Sequence, residues 1–194
     1  MKVFITVLVL IFSLQSWTKA DDIRDFEIEG MSIGDSLLDY FSENQIQKKF
    51  KNVTFTTNNK FVIIWIPDLS KKSIYESVQL TLKNNDKKYI IYTIDGNLLY
   101  DNNIEECYKK QDEIVKEIST LFPKVNPKKG KIRSHRGDKT GKSTVKNTSF
   151  RLDKGIISIG CTDWSEAYTK SKNWKDNLSV SVVSQKYLDV YKLN

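Results

Sequence analysis

Few residues in this chain have types and spacings that could do chemistry. Gly30-Met31-Ser32-Ile33-Gly34 places a serine between two glycines, a spacing suited to presenting a nucleophilic hydroxyl at a tight turn. Overlapping it, Gly34-Asp35-Ser36-Leu37 offers Ser36 as a rival nucleophile. Acyl hydrolysis through either serine needs a base, and the single histidine is His135, about a hundred residues further on. Gly137-Asp138-Lys139-Thr140-Gly141-Lys142-Ser143 has the composition of a phosphate cradle. Arg136-Gly137-Asp138 spells the integrin-binding tripeptide. The two cysteines, Cys107 and Cys161, could bridge, but with one histidine they cannot complete a zinc shell.

Each spelling is weakened by what surrounds it. Gly-x-Ser-x-Gly matches the nucleophile elbow of α/β-hydrolases, and Gly34 to Leu37 resembles the first block of the GDSL esterases. Those esterases carry acid and base as Asp-x-x-His, whereas Ile132 stands three residues before His135, and no Gly-x-Asn-Asp block follows. Helix entry and capping account for Ser32, Gly34 and Asp35. The phosphate cradle has one residue too few between its glycines and no strand before it. No nucleotide, cofactor or metal is therefore expected. The expected function is an exported, non-enzymatic binding or interaction protein of unknown ligand, with a serine hydrolase using Ser32 or Ser36 as the alternative.

Export follows from the first twenty residues. Lys2 is a positive start, Val3 to Trp17 is mostly apolar, and Thr18-Lys19-Ala20 suits signal-peptidase cleavage. Ser13, Gln15 and Ser16 break the apolar run, and Asp21 and Asp22 follow at once, so a cleaved leader is favoured over a span. The expectation is a signal peptide over 1–20 and one domain over 21–194, periplasmic or secreted, with no membrane span after cleavage. Both cysteines sit at inward-facing positions of an exported chain, which favours a Cys107–Cys161 disulfide.

The 194 residues carry a formal charge of +7. Between Lys124 and Lys146 lie Lys124, Lys128, Lys129, Lys131, Arg133, Arg136, Lys139, Lys142 and Lys146 against Asp138 alone. With the leader removed, the rest of the chain is mildly acidic. This segment has almost no large apolar side chains and is expected to be an exposed, mobile loop. Its cations, Lys128, Lys129, Lys131, Arg133, Arg136, Lys139 and Lys142 above all, form a candidate site for an anionic surface or polysaccharide. No aromatic residue interleaves the run, which argues against base stacking. Trp164, Tyr168 and Trp174 form either a carbohydrate-like groove or a satellite apolar cluster.

The elements that must hold these residues read as α+β. Apolar positions over Asn102–Phe122 recur at three- and four-residue steps and predict a long amphipathic helix, stopped by Pro123. Phe26–Glu29, Phe61–Ile66, Val78–Leu82 and Tyr89–Ile94 read as strands, the third and fourth as a hairpin across Asn84-Asn85-Asp86. Phe61–Ile66, apolar throughout, is expected to be covered on both faces or to sit centrally in its sheet. Asp95-Gly96 reads as a tight turn or a bulge before Leu98-Leu99-Tyr100. Ser32 with Asp35, then Ser42 with Gln45, predict two short helices. Strands resume at Phe150–Leu152, Ile157–Cys161 and Leu178–Val182, and Ser184 starts a last helix. Together these predict a mainly antiparallel sheet packed by the long helix, with short helices at the N and C termini.

Three stretches carry a resemblance: Phe26 to Tyr40, Cys107 to Val115, and Cys161-Thr162-Asp163-Trp164-Ser165. They resemble small exported proteins of unassigned function from marine bacteria with AT-rich genomes. The resemblance implies bacterial origin and export, and brings no site residues. More loosely, a G-x-S turn followed by a strand meander is similar to small outer-membrane assembly lipoproteins, but the lipobox cysteine is absent.

Overall fold

A computed structural model describes residues 22–49, 53–56, 58–67, 73–101 and 103–192. The expected signal peptide lies outside the described residues. The architecture is α+β, a nine-stranded antiparallel sheet with few helices. Its strands are β1 (Thr54–Phe55), β2 (Phe61–Pro67), β3 (Ser77–Lys83), β4 (Ile91–Tyr100), β5 (Lys128–Lys129), β6 (Arg133–Ser134), β7 (Thr144–Leu152), β8 (Gly155–Asp163) and β9 (Asp176–Ser184). They lie in the order β1-β2-β3-β4-β9-β8-β7-β5, with β6 also on β7. The helices are α1 (Glu43–Lys49), α2 (Ile104–Leu121), α3 (Glu166–Lys172) and α4 (Gln185–Tyr191).

Strand alternation sends two different sets of side chains to the two faces. One face is apolar: Val62, Ile64, Val78, Leu80, Ile94, Val180, Val182, Ile157, Ile159 and Phe150 are all buried. Against it lie α2, through Cys107, Gln111, Val115 and Ile118, and the N-terminal segment, through Ile23, Ile28, Met31 and Leu37. The other face is polar. One row runs Trp65, Gln79, Asp95, Ser181, Ser158, Ser149, Lys128 across successive strands. At one end of that face, α4 lays Tyr187 against Phe61 with ring centroids 5.0 Å apart.

Several local expectations are corrected. The residues after Gly30 form no α-helix. The Asp35 carboxylate turns back to accept the Ser32 amide, Gly34 donates to the Ile91 carbonyl, and only a single 3-10 turn follows at Leu37–Asp39. Phe26–Glu29 forms no paired strand and contributes one bridge, Ile28 to Met31. The second capping signal does start a helix: the Ser42 amide donates to Gln45 Oε1 at 2.9 Å, at the head of α1.

Phe61–Ile66 is a strand, as its residues suggest, but it is not covered on both faces, since Trp65 is 53% exposed. Asp95-Gly96 neither turns nor bulges, and β4 runs in register straight through it. The glycine is needed because the Tyr75 ring lies over it, 2.7 Å from where a Cβ would sit. The irregularity falls earlier in β4. Leu82 pairs with Ile91 and Thr81 with Thr93, leaving Tyr92 as an extra residue. That bulge lets Ile91 enter the core while Tyr92 meets Phe61 at 5.0 Å.

Candidate functional site: the basic arm

The arm begins where α2 ends. Asn103 caps the helix start by accepting the Glu106 amide, and Phe122 closes its end. On the inner side of α2, Gln111 is fully buried, and its Nε2 donates to the Lys146 and Ile159 carbonyls at 2.9 and 2.8 Å. One turn earlier, Cys107 bonds Cys161 of β8 with Cα atoms 6.0 Å apart. Lys146 sets its ammonium over the Tyr108 ring at 4.8 Å. These contacts join α2 to β7 and β8, the two strands that carry the arm.

The segment 124–146 is not a loose loop. Lys128 and Lys129 pair with Ser149 and Thr148, Arg133 and Ser134 pair with Val145 and Thr144, and Gly130 donates to the Asn147 carbonyl. The segment has no apolar core of its own because it borrows order from the β7 edge and from one buried acid. Asp138 is 4% exposed. Its Oδ1 accepts the Thr140 amide and hydroxyl, and its Oδ2 accepts the Ser143 amide and hydroxyl, at 2.6 to 2.9 Å. Burial opposes ionisation, but these donors outweigh it and hold the carboxyl well below the usual carboxylate range.

His135 supplies the second anchor. Its ring meets Trp164 edge-on at 4.4 Å, and Trp164 in turn packs on Tyr168 and Trp174. The Tyr168 hydroxyl donates to the Gly137 carbonyl. The three aromatic residues therefore pack on one another and on the arm as a satellite cluster. Burial and the Arg133 charge push the His135 imidazole below its ordinary value, with Asp138 pulling the other way.

All seven candidate cations, Lys128, Lys129, Lys131, Arg133, Arg136, Lys139 and Lys142, are exposed. The one acid among them is buried and fully hydrogen-bonded. The arm thus presents positive charge outward on a fixed backbone.

The other motifs are absorbed by structure. Ser143 is buried and its hydroxyl is spent on Asp138, so the Gly137–Ser143 run wraps a carboxylate of the chain itself. The same burial keeps the acid of Arg136-Gly137-Asp138 from the surface. Ser32 Oγ donates to the Arg24 carbonyl at 2.7 Å, and Ser36 Oγ to the Lys88 carbonyl at 2.8 Å. Ser36 bridges Ile90, beside the start of β4 and the Gly155 end of β8; His135 adjoins the start of β7 and the Asp163 end of β8. The length of β8, roughly 25–30 Å for nine extended residues, separates the serines from the histidine.

Sequence reasoning missed the organising role of Asp138, which read as a lone acid diluting a basic run. Its signal was local, since an Asp followed by Thr at two residues and Ser at five matches an Asx-type turn. It also missed Gln111, a polar residue on the inward stripe of a helix. Among the described residues no group of His, Cys, Asp and Glu could hold a metal ion, and no helix is long and apolar enough to cross a membrane. No protein-family model, curated protein or solved structure matches the chain.

Proposed function

We propose that the protein is an exported, non-enzymatic binding protein that attaches to an anionic envelope surface or polysaccharide through the basic arm. The observation that carries this reading is the arm itself, with seven exposed cations on a backbone tied to β7 and to Asp138. A backbone already paired in the free protein loses less conformational entropy when an anionic polymer engages the cations it carries. A flexible tail of equal charge would lose more. The Cys107–Cys161 bridge supports export, because such bonds persist in oxidising compartments. The hydroxyls of Ser32 and Ser36, each given to a backbone carbonyl far from His135, support a role other than acyl transfer.

The test is retention on immobilised heparin and co-sedimentation with vesicles containing anionic lipid, each across a salt series. Binding should weaken steeply with salt, as exposed charges do when the Debye length falls to about 3 Å near 1 M. It should be lost when Lys128, Lys129, Lys131 and Arg133 are changed together to Gln. Undiminished binding by that variant ends the role of the arm. Labelling of Ser32 or Ser36 by a fluorophosphonate would favour the hydrolase instead. The periplasmic or secreted location is checked by the N-terminal sequence of the protein recovered from outside the cytoplasm, expected to start at Asp21.

A further inference from the structure

β7 continues where β5 stops. β5 pairs only Lys128 with Ser149 and Lys129 with Thr148, so among the described residues Phe150, Arg151 and Leu152 have no strand on their outer side. The chain between α2 and β5 passes through Pro123 and Pro127, neither of which has an N–H to offer a ladder. It stands off from β7, and the gap is a cleft of about 810 Å³.

Two kinds of surface meet in this cleft. Phe122 and Leu152, both buried, form its floor, and Val125 and Ile156 extend the apolar wall. Lys124, Lys128 and Arg151 also line it, against Asp153 as the single acid. The register fixes how they combine. Lys128 lies directly across from Ser149, Arg151 is two residues along the same face, and Ile156 lies directly across from Arg151. Lys128, Ser149, Arg151 and Ile156 therefore share one face of the strand pair, whereas Leu152 projects to the opposite face, and the cleft joins the two faces past the uncovered β7 edge. The volume falls in the range of small-molecule sites, roughly 300–1,000 Å³.

A small inorganic ion would use the cations and leave the apolar floor wet, whereas a neutral hydrocarbon would use the floor and leave the charges idle. We propose that this cleft binds an amphipathic organic anion, an acyl chain carrying a carboxylate or a phosphate. The head group meets Arg151, Lys128 and the Ser149 hydroxyl on the face that carries Ile156, and the chain passes between residues 123–127 and the uncovered β7 edge towards Leu152 and Phe122. The site shares Lys128 with the arm, but Arg151 and Ile156 lie outside the arm, so the two roles can be tested apart.

The experiment titrates the isotope-labelled protein with decanoate, decyl phosphate, decanol and acetate, below micelle concentrations, and follows the backbone amides by NMR. Saturable shifts confined to residues 122–128 and 149–156 are expected for the two decyl anions. Whichever of those binds more tightly identifies the head group. Arg151→Gln should weaken decanoate by roughly 10-fold or more, the loss expected for a charged hydrogen bond. The same variant should keep its heparin retention, so failure here and failure of the arm's role are told apart. Shifts that are absent or lie elsewhere would overturn the site. So would decanol or acetate binding as tightly as decanoate, or a variant that binds decanoate unchanged.

Discussion

The Asp138 carboxylate accepts both the amide and the hydroxyl of Ser143, at 2.9 and 2.6 Å, and this pairing closes the tip of the basic arm. Ser143 is fully buried, and its hydroxyl also receives the Ser165 amide at 3.0 Å. One carboxylate thus ties the arm to β7 and to the segment entering α3.

Asp138→Ala should release the tip. It leaves the donors of Thr140 and Ser143 without an acceptor, which costs about 1–3 kcal/mol for each donor that stays buried. Hydrogen exchange of the Thr140 and Ser143 amides should accelerate while the amides of β4 and β9 keep their protection. Unchanged exchange at Ser143 would show that the carboxylate does not hold the arm.

Removing the bridge by changing Cys107 and Cys161 together to Ala should lower stability by about 4 kcal/mol, the chain-entropy value for a loop of this size. Urea unfolding measures it. A loss below about 1 kcal/mol would mean that Gln111 and the apolar face of α2 suffice to hold the helix on β8.

His135 gives the arm a pH dependence. Its folded value lies below its ordinary 6.5, so the unfolded chain takes up the proton more readily. The stability it contributes is present above 6.5 and is lost as pH falls through the lowered value. The arm faces the ring with Arg133, which disfavours the imidazolium, and Asp138, which favours it. Tryptophan fluorescence should report Trp164 undocking with a midpoint below 6.5, and His135→Phe should flatten that transition. A midpoint above 6.5 would contradict the sign.

Asp95 behaves in the opposite sense. Burial on the polar sheet face raises its carboxyl above 3.8, with Ser181 and Thr93 hydrogen bonds opposing. Its stability is therefore present below 3.8 and lost as pH rises through the raised value. Asp95→Asn should melt at a higher temperature than the parent at pH 7, with the advantage shrinking towards pH 4. A variant that melts lower at pH 7 would show that the hydrogen bonds outweigh the burial.

Gly155 opens β8 with the Val183 carbonyl 2.1 Å from where a Cβ would sit. A backbone atom inside a ladder cannot yield as a flexible side chain can. Gly155→Ala should therefore cost about 1–3 kcal/mol in urea unfolding. A neutral substitution would mean that β8 and β9 can separate at that end without loss.

The amino-acid sequence by itself determined most of the elements, because hydrophobic period and capping are local. The alternation in Ile157, Ile159 and Cys161, the Ser184 start of α4 and the inward position of Cys107 are all visible in neighbouring residues. So was the charge of the segment 124–146. Tertiary structure decided what that charge rests on. Nothing near Lys128 or Arg133 says that β7 will offer them a partner edge, and nothing near Asp138 says that its carboxylate will be buried under Ser143 and beside Ser165. The same holds at Gly96, where local turn chemistry yields to a Tyr75 ring brought over the strand by the fold. Local residues set how each segment can bend, but hydrogen bonds and steric contacts between segments distant in the chain select which of those conformations persists.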